Sequence, residues 1–227
     1  MSVWDDVAGQ YDGIYSRPVD FAEDLVLRDS LPPLAGRAVI DLGCGTGWLL
    51  DYLSPVIHPR NYIGVDSSAN MIGAARRKWP LYTFCQLDMQ RLTLFPASSF
   101  DVVLSLYSPI CYCEHPWAAA AEAWRVLKPG GQLVFMAYPA RGRRRKIPGM
   151  DEAGRETGAP FTPSGLRSLF PRLQDVQVRG LNVLGDRVYR GFGNVWGAWW
   201  LMRLDFRTAG RLAPGAAYTM ILSGRKG

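Results

Sequence analysis

The chain has 227 residues, 48% of them hydrophobic and 20% charged, which is enough apolar material for a substantial core in one α/β domain. Four cysteines in that length exclude a disulfide framework, and no uncharged apolar run reaches the roughly 18 residues of a membrane span, so no membrane partner is expected. The net charge of +6 is local: Arg141-Gly142-Arg143-Arg144-Arg145-Lys146 places five cations in six positions, and the remainder is close to neutral.

Met1 to Asp6 shows no cationic segment leading into an apolar stretch, so no signal peptide is expected and the chain is read as cytoplasmic. Ser2 to Tyr15 and Val19 to Leu31 are amphipathic enough for helices, broken at Arg17-Pro18 and stopped at Pro32-Pro33. Arg37 to Asp41 reads as the first strand and Trp48 to Leu53 as helix. Asn61 to Val65 reads as a second strand, and Ser68 caps a helix running to Lys78. Leu81 to Gln86 and Phe100 to Leu106 are the third and fourth strands. Pro116 opens a helix on which Trp117, Ala120, Ala121, Trp124 and Leu127 recur at the 3.6-residue period. Lys128-Pro129-Gly130-Gly131 ends it, and Gln132 to Ala137 is the fifth strand. After a loop rich in Pro, Gly and Arg, Thr162-Pro163-Ser164 starts a short helix. Val176 to Val183 and Ala217 to Ser223 read as the last two strands, separated by an aromatic stretch from Arg187 to Leu204.

Within this order one segment carries the most chemistry. Asp41-Leu42-Gly43-Cys44-Gly45-Thr46-Gly47 turns a buried strand into a helix through three glycines, which lets backbone approach a ligand and aims free N–H groups at it. Asp66 closes the second strand, 19 residues beyond Gly47, where a doubly wound nucleotide-binding sheet holds a ribose with a carboxylate. Asp88 closes the third strand and is followed by Met89 and Gln90. Three acids at successive strand ends make one edge of a crevice. A dinucleotide fingerprint starting from Gly43 would need glycine where Trp48 stands, so a nicotinamide cofactor is disfavoured.

The glycine turn, Asp66-Ser67-Ser68-Ala69-Asn70-Met71 and Trp124-Arg125-Val126-Leu127-Lys128-Pro129-Gly130-Gly131 together resemble the class I S-adenosylmethionine-dependent methyltransferases of small-molecule type, over Tyr11 to Tyr138. The resemblance implies an α/β fold: a doubly wound, mostly parallel seven-stranded sheet with helices on both faces, an antiparallel last strand and an N-terminal helical cover. It implies S-adenosyl-L-methionine as cofactor and S-adenosyl-L-homocysteine as product. Asp41, Gly43, Cys44 and Gly45 would border the methionine part, and Asp66 would hold the ribose. Ser67 and Met71 would flank the adenine, Asp88 and the Met89 backbone would read its edge, and the Leu106 carbonyl would face the amino group. With no repeat or linker visible, residues 1–227 are read as one domain. Residues 1–35 form the cover, 36–138 the cofactor-binding core, and 139–227 the substrate side with an insertion at 185–208.

A sulfonium makes its methyl group electrophilic, so alignment and exclusion of water supply much of the rate, and no conspicuous triad is required. A hydroxyl acceptor still needs help losing its proton. His115, one of two histidines, is the candidate base, with Glu114 behind it; its other reading is a helix-entry residue ahead of Pro116. Tyr107 and Tyr112, after the fourth strand, are expected to touch the acceptor. Tyr11 is expected on the cofactor and Tyr15 on the substrate, where aromatic faces favour a cation. Trp196, with Trp199 and Trp200, is read either as packing, as a wall of the acceptor site, or as a dimer contact. The chain is accordingly expected to be a monomer or homodimer. Cys111, Cys113 and His115 alternate but have no second ligand pair elsewhere, so no metal is expected.

The expected function is methyl transfer to a small organic acceptor through an N-, O- or C-nucleophile. The alternatives are an RNA or DNA methyltransferase using Arg141 to Lys146, or a methyltransferase-fold protein with non-methylating function. Ser108-Pro109-Ile110 lacks the second proline and the aromatic of the nucleic-acid amino-methyltransferases, so nucleic acid is the less favoured partner.

Overall fold

A computed structural model describes residues 3–14, 18–141, 158–191 and 194–227. Its centre is a seven-stranded sheet in the order β3-β2-β1-β4-β5-β7-β6. The strands are β1 (Val39–Leu42), β2 (Tyr62–Asp66), β3 (Thr83–Gln86), β4 (Phe100–Ser105), β5 (Leu127–Ala137), β6 (Leu173–Leu181) and β7 (Thr219–Lys226). Neighbours from β3 to β5 run parallel, while β7 runs antiparallel to both β5 and β6. The order reverses between β1 and β4, and a doubly wound sheet opens its ligand crevice at the carboxyl ends of such a pair. Asp41 sits in that crevice, in register with Gly64 on one side and Leu104 on the other.

β1 is buried along its whole length because both sheet faces are covered. One face packs α3 (Pro18–Ser30), α4 (Leu50–Leu53), α5 (Ala69–Lys78) and α9 (Val195–Arg207) around Val39, Tyr62, Leu104 and Met136. The other packs α6 (Pro116–Val126) and α7 (Pro163–Ser168) around Ile40, Val103, Leu133 and Phe135. Two short helices, α1 (Val3–Val7) and α2 (Tyr11–Ile14), precede these, and α8 (Asp186–Arg190) and α10 (Ala209–Leu212) flank α9. Among the described residues no helix is long and apolar enough to cross a membrane.

Capping follows the local sequence. Ser68 accepts from Met71 N at the start of α5, and Thr162 accepts from Gly165 N at the start of α7. Other expectations need correction. The N-terminal segment breaks into two helices around a turn that includes Gly9. α4 begins only at Leu50, after the glycine turn has ended, and β5 begins at Leu127. On α6 the buried face is Ala119, Ala120, Ala123 and Val126, whereas Trp117 and Ala121 are exposed. A run of alanines offers two apolar faces, and the sheet selects the one that packs closest.

Candidate active site

The glycine turn is closed onto β2: the amides of Gly43 and Cys44 both donate to the Val65 carbonyl, at 2.7 and 3.0 Å. Gly43, Gly45 and Gly47 all have positive φ, which L side chains adopt only at a cost. Space imposes the same choice at Gly43, where a Cβ would lie 2.3 Å from the Pro109 Cβ.

Asp66 ties the turn to the second strand. Its Oδ2 accepts from Gly45 N and its Oδ1 from Ser68 N, each at 2.9 Å. Each oxygen keeps a lone pair for a ligand hydroxyl. Burial holds the carboxyl above its usual range, against the lowering effect of those amides. Asp41 is buried more deeply. Its Oδ2 accepts from Tyr62 OH at 2.8 Å, Oδ1 has no partner among the described residues, and burial pushes the group up to about 7. A carboxylate so placed favours a cation.

Asp88 accepts from the Gln90 amide at 2.8 Å and from its side-chain nitrogen at about the same reach. Gln90 Oε1 accepts from His115 N at 2.6 Å, so this glutamine braces the third strand end against the start of α6. On the opposite side Tyr107 and Ser108 follow β4 with φ of 63° and 70°, a strained pair of non-glycine residues. Tyr107 OH donates to Asp24 Oδ1 and lies against Tyr52 OH, both at 2.6 Å. Burial pushes Asp24 up to about 7, and the Tyr107 donation opposes that rise.

The N-terminal helices are latched over this edge by two aspartates. Ser68 Oγ donates to Asp5 Oδ1, and Thr46 Oγ1 donates to Asp12 Oδ1, both at 2.5 Å. Lys78 Nζ reaches Asp12 and Asp51 at 2.6 Å each. Trp4 meets Tyr11 and Tyr112 edge-on, completing an aromatic wall.

These elements enclose a cavity of about 520 Å³, within the ordinary range for small-molecule sites. Tyr11, Asp41, Gly43, Cys44, Gly45, Asp66, Ser67, Met71, Asp88, Met89 and Leu106 all line it, as do Tyr107 and Tyr112. His115 does not: its side chain is 72% exposed beside Glu114, outside the cavity. Trp196 is 69% exposed on α9 and is likewise outside. Tyr15 and the stretch from Gly142 to Lys146 lie outside the described residues. Sequence reasoning missed Trp4 and Trp48 as lining residues; Trp48, directly after the glycine turn, carried a local signal, and Pro109 lines the cavity from the segment after β4 that the sequence had marked.

The residues fit S-adenosylmethionine by the chemistry of the donor set. The Asp66 carboxylate keeps lone pairs that could take ribose hydroxyls, the buried Asp41 has no cation beside it among the described residues, and a side chain at Gly43 would collide with Pro109. Residues 39–131 match the methyltransferase domain model. These residues carry a methyltransferase domain. Over 104 residues it is 35% identical to a phthiotriol/phenolphthiotriol dimycocerosates methyltransferase of Mycobacterium leprae, covering 45% of this chain and 38% of that one. A fatty-acid O-methyltransferase of Mycolicibacterium smegmatis is 34% identical over 102 residues, 44% of this chain and 36% of its own. The chain thus spans well under half the length of these curated relatives. The domain's fold also matches a S-adenosylmethionine-dependent methyltransferase of Thermotoga maritima, a possible histamine N-methyltransferase, at TM-score 0.67 and 18% identity over 99% of both chains.

Proposed function

We propose that this protein moves a methyl group from S-adenosylmethionine to a small organic acceptor. The observation that carries the reading is the bridge from Gly45 to Asp66, which joins the glycine turn to a carboxylate facing the same cavity. The cofactor supplies a methyl group on a sulfonium, ready for in-line displacement. Asp66 would accept the ribose hydroxyls, and Asp41 would pair with the cationic amino-acid end beside Gly43, Cys44 and Gly45. Ser67 and Met71 would flank the adenine, Asp88 and the Met89 backbone would meet its edge, and the Leu106 carbonyl would face the amino group. The latched cover brings Trp4 and Tyr11 into the wall of the site.

The acceptor enters between Tyr107 and Tyr112, an aromatic wall suited to an apolar body. The two mycobacterial relatives are named for lipid-like acceptors, which fits such a wall. With His115 on the surface, the acceptors favoured are those that arrive as a carboxylate or a neutral amine and need no protein base; the Tyr107 phenol, which burial pushes up and which donates to Asp24, shapes the wall.

The test is incubation with S-adenosylmethionine bearing an isotopically labelled methyl group and a panel of fatty acids, phenols and amines. Formation of S-adenosylhomocysteine with a mass shift in one acceptor class supports the reading. Tight cofactor binding with no S-adenosylhomocysteine from any class opposes it.

A further inference from the structure

The outward face of α9 is unlike the rest of the surface. Trp196, Trp200 and Leu204 recur every fourth residue and are 69%, 68% and 51% exposed. At about 100° per residue, Arg203 and Arg207 fall among them, all five within an arc of about 100°. The opposite side of the helix, Ala198, Met202, Asp205 and Phe206, is buried in the core. On or beside α8 and α10, which both contact α9, Leu184, Val188 and Leu212 are exposed as well. Two large aromatics and Leu204 exposed along one stripe mark a contact surface, not scattered exposure.

Beside this face lies a cleft of about 290 Å³ between α3, α9 and the β6–β7 pair, walled by Arg179, Arg203 and Arg207. None of the three guanidinium groups pairs with a carboxylate among the described residues. Arg179 donates to Gln177 Oε1 at 2.8 Å and stacks over Phe206, and Arg203 stacks over Trp199. Asp29, the carboxylate in the cleft wall, is paired with Arg28 instead. Burial first, then the neighbouring Arg211 and Arg207, depress the basicity of Arg179, as expected of like charges awaiting an anion.

We propose that this face docks on an anionic lipid surface, with α9 lying in the plane of the interface and lipid phosphates seated in the arginine cleft. Tryptophan favours the headgroup level of a bilayer, and an arginine-flanked apolar stripe is the pattern of an interfacial helix. A second copy is disfavoured because a two-fold contact through this face would bring Arg203 and Arg207 against their own counterparts. Leu184, Val188, Leu204 and Leu212 give a polynucleotide backbone nothing to bind. The inference goes beyond methyl transfer and does not depend on it.

The experiment is co-sedimentation of the full chain with vesicles of phosphatidylcholine alone and of phosphatidylcholine with phosphatidylglycerol. Tryptophan emission is followed in parallel, and single-stranded RNA serves as competitor. Binding is expected to the anionic vesicles, with a blue shift in emission. Trp196→Ser with Trp200→Ser should reduce it about tenfold or more, and Arg203→Ser with Arg207→Ser on the order of 20-fold. Trp117→Ser, exposed on the other side of the sheet, should leave it unchanged, and all variants should melt like the parent. The proposal is overturned by equal affinity for both vesicles, by variants that bind as the parent does, or by preference for RNA. Self-association abolished by the tryptophan changes without vesicle binding overturns it as well.

Discussion

Asp66 Oδ2 accepts the Gly45 backbone amide at 2.9 Å, although 21 residues separate them. The bond makes the end of β2 and the turn after β1 one rigid unit, so the carboxylate faces the cavity in a fixed orientation. Charged hydrogen bonds of this kind contribute about 1.5–3 kcal/mol each. Asp66→Ala is therefore expected to weaken S-adenosylmethionine binding by about 10- to 100-fold. Titration calorimetry checks it, and unchanged affinity would remove Asp66 from the ribose.

Asp24 and Asp41 are both raised to about 7 from an ordinary 3.8. The folded chain then holds more protons than the unfolded chain between about pH 4 and pH 7, so their contribution to stability declines as pH rises through that window and levels off above it. A cation beside Asp41 draws its pKa back down. Stabilisation by S-adenosylmethionine should accordingly grow as pH rises through about 7, with protons released on binding. Melting temperatures across pH, with calorimetry in buffers of different ionisation enthalpy, measure both effects. Asp41→Asn should abolish most of the proton release.

Gly43 and Gly130 share a φ near 75°, yet a Cβ at Gly43 would strike Pro109 while one at Gly130 meets nothing within 4 Å. Gly130→Ala should cost about 1 kcal/mol, the left-handed penalty alone. Gly43→Ala should cost about 2–4 kcal/mol, because overpacking adds to the same penalty. Urea denaturation of the two variants separates backbone strain from steric conflict.

Asp12 is held by Thr46 and Lys78 across the entrance, with both charges partly exposed. Exposed pairs contribute at most about 1 kcal/mol to stability. Asp12→Ala should leave the melting temperature within a few degrees of the parent but raise the KM for cofactor several-fold by loosening the cover. Steady-state kinetics at low and high salt distinguish this latch, which salt weakens, from a purely structural role.

Tyr107→Phe removes the donor to the buried Asp24 and is expected to lower stability by about 1–3 kcal/mol while leaving single-turnover methyl transfer within a few-fold of the parent. His115→Ala should change neither rate nor pH profile, since the ring points to solvent. Urea denaturation and rapid-quench measurements across pH compare the two.

Local chemistry was legible in the sequence. The glycine turn, the Ser68 cap and the acids at strand ends depend on neighbours a few residues away, and they occur where composition placed them. Long-range pairings were not legible: Asp24 meets Tyr107 across 83 positions and Ser68 meets Asp5 across 63, with nothing local to announce either. Periodicity also left the side of each face open. Trp196 and Trp200 share one stripe of α9 whether it turns inward or outward, and Phe206, Met202 and Ala198 hold the buried side instead.

A crystal structure grown with S-adenosylhomocysteine tests the site most directly. The ribose hydroxyls should lie within hydrogen-bonding distance of both Asp66 oxygens, with the amino-acid tail against Asp41 and the Gly43–Gly45 backbone. A nucleoside bound elsewhere, or a cavity left empty at saturating ligand, would contradict the assignment.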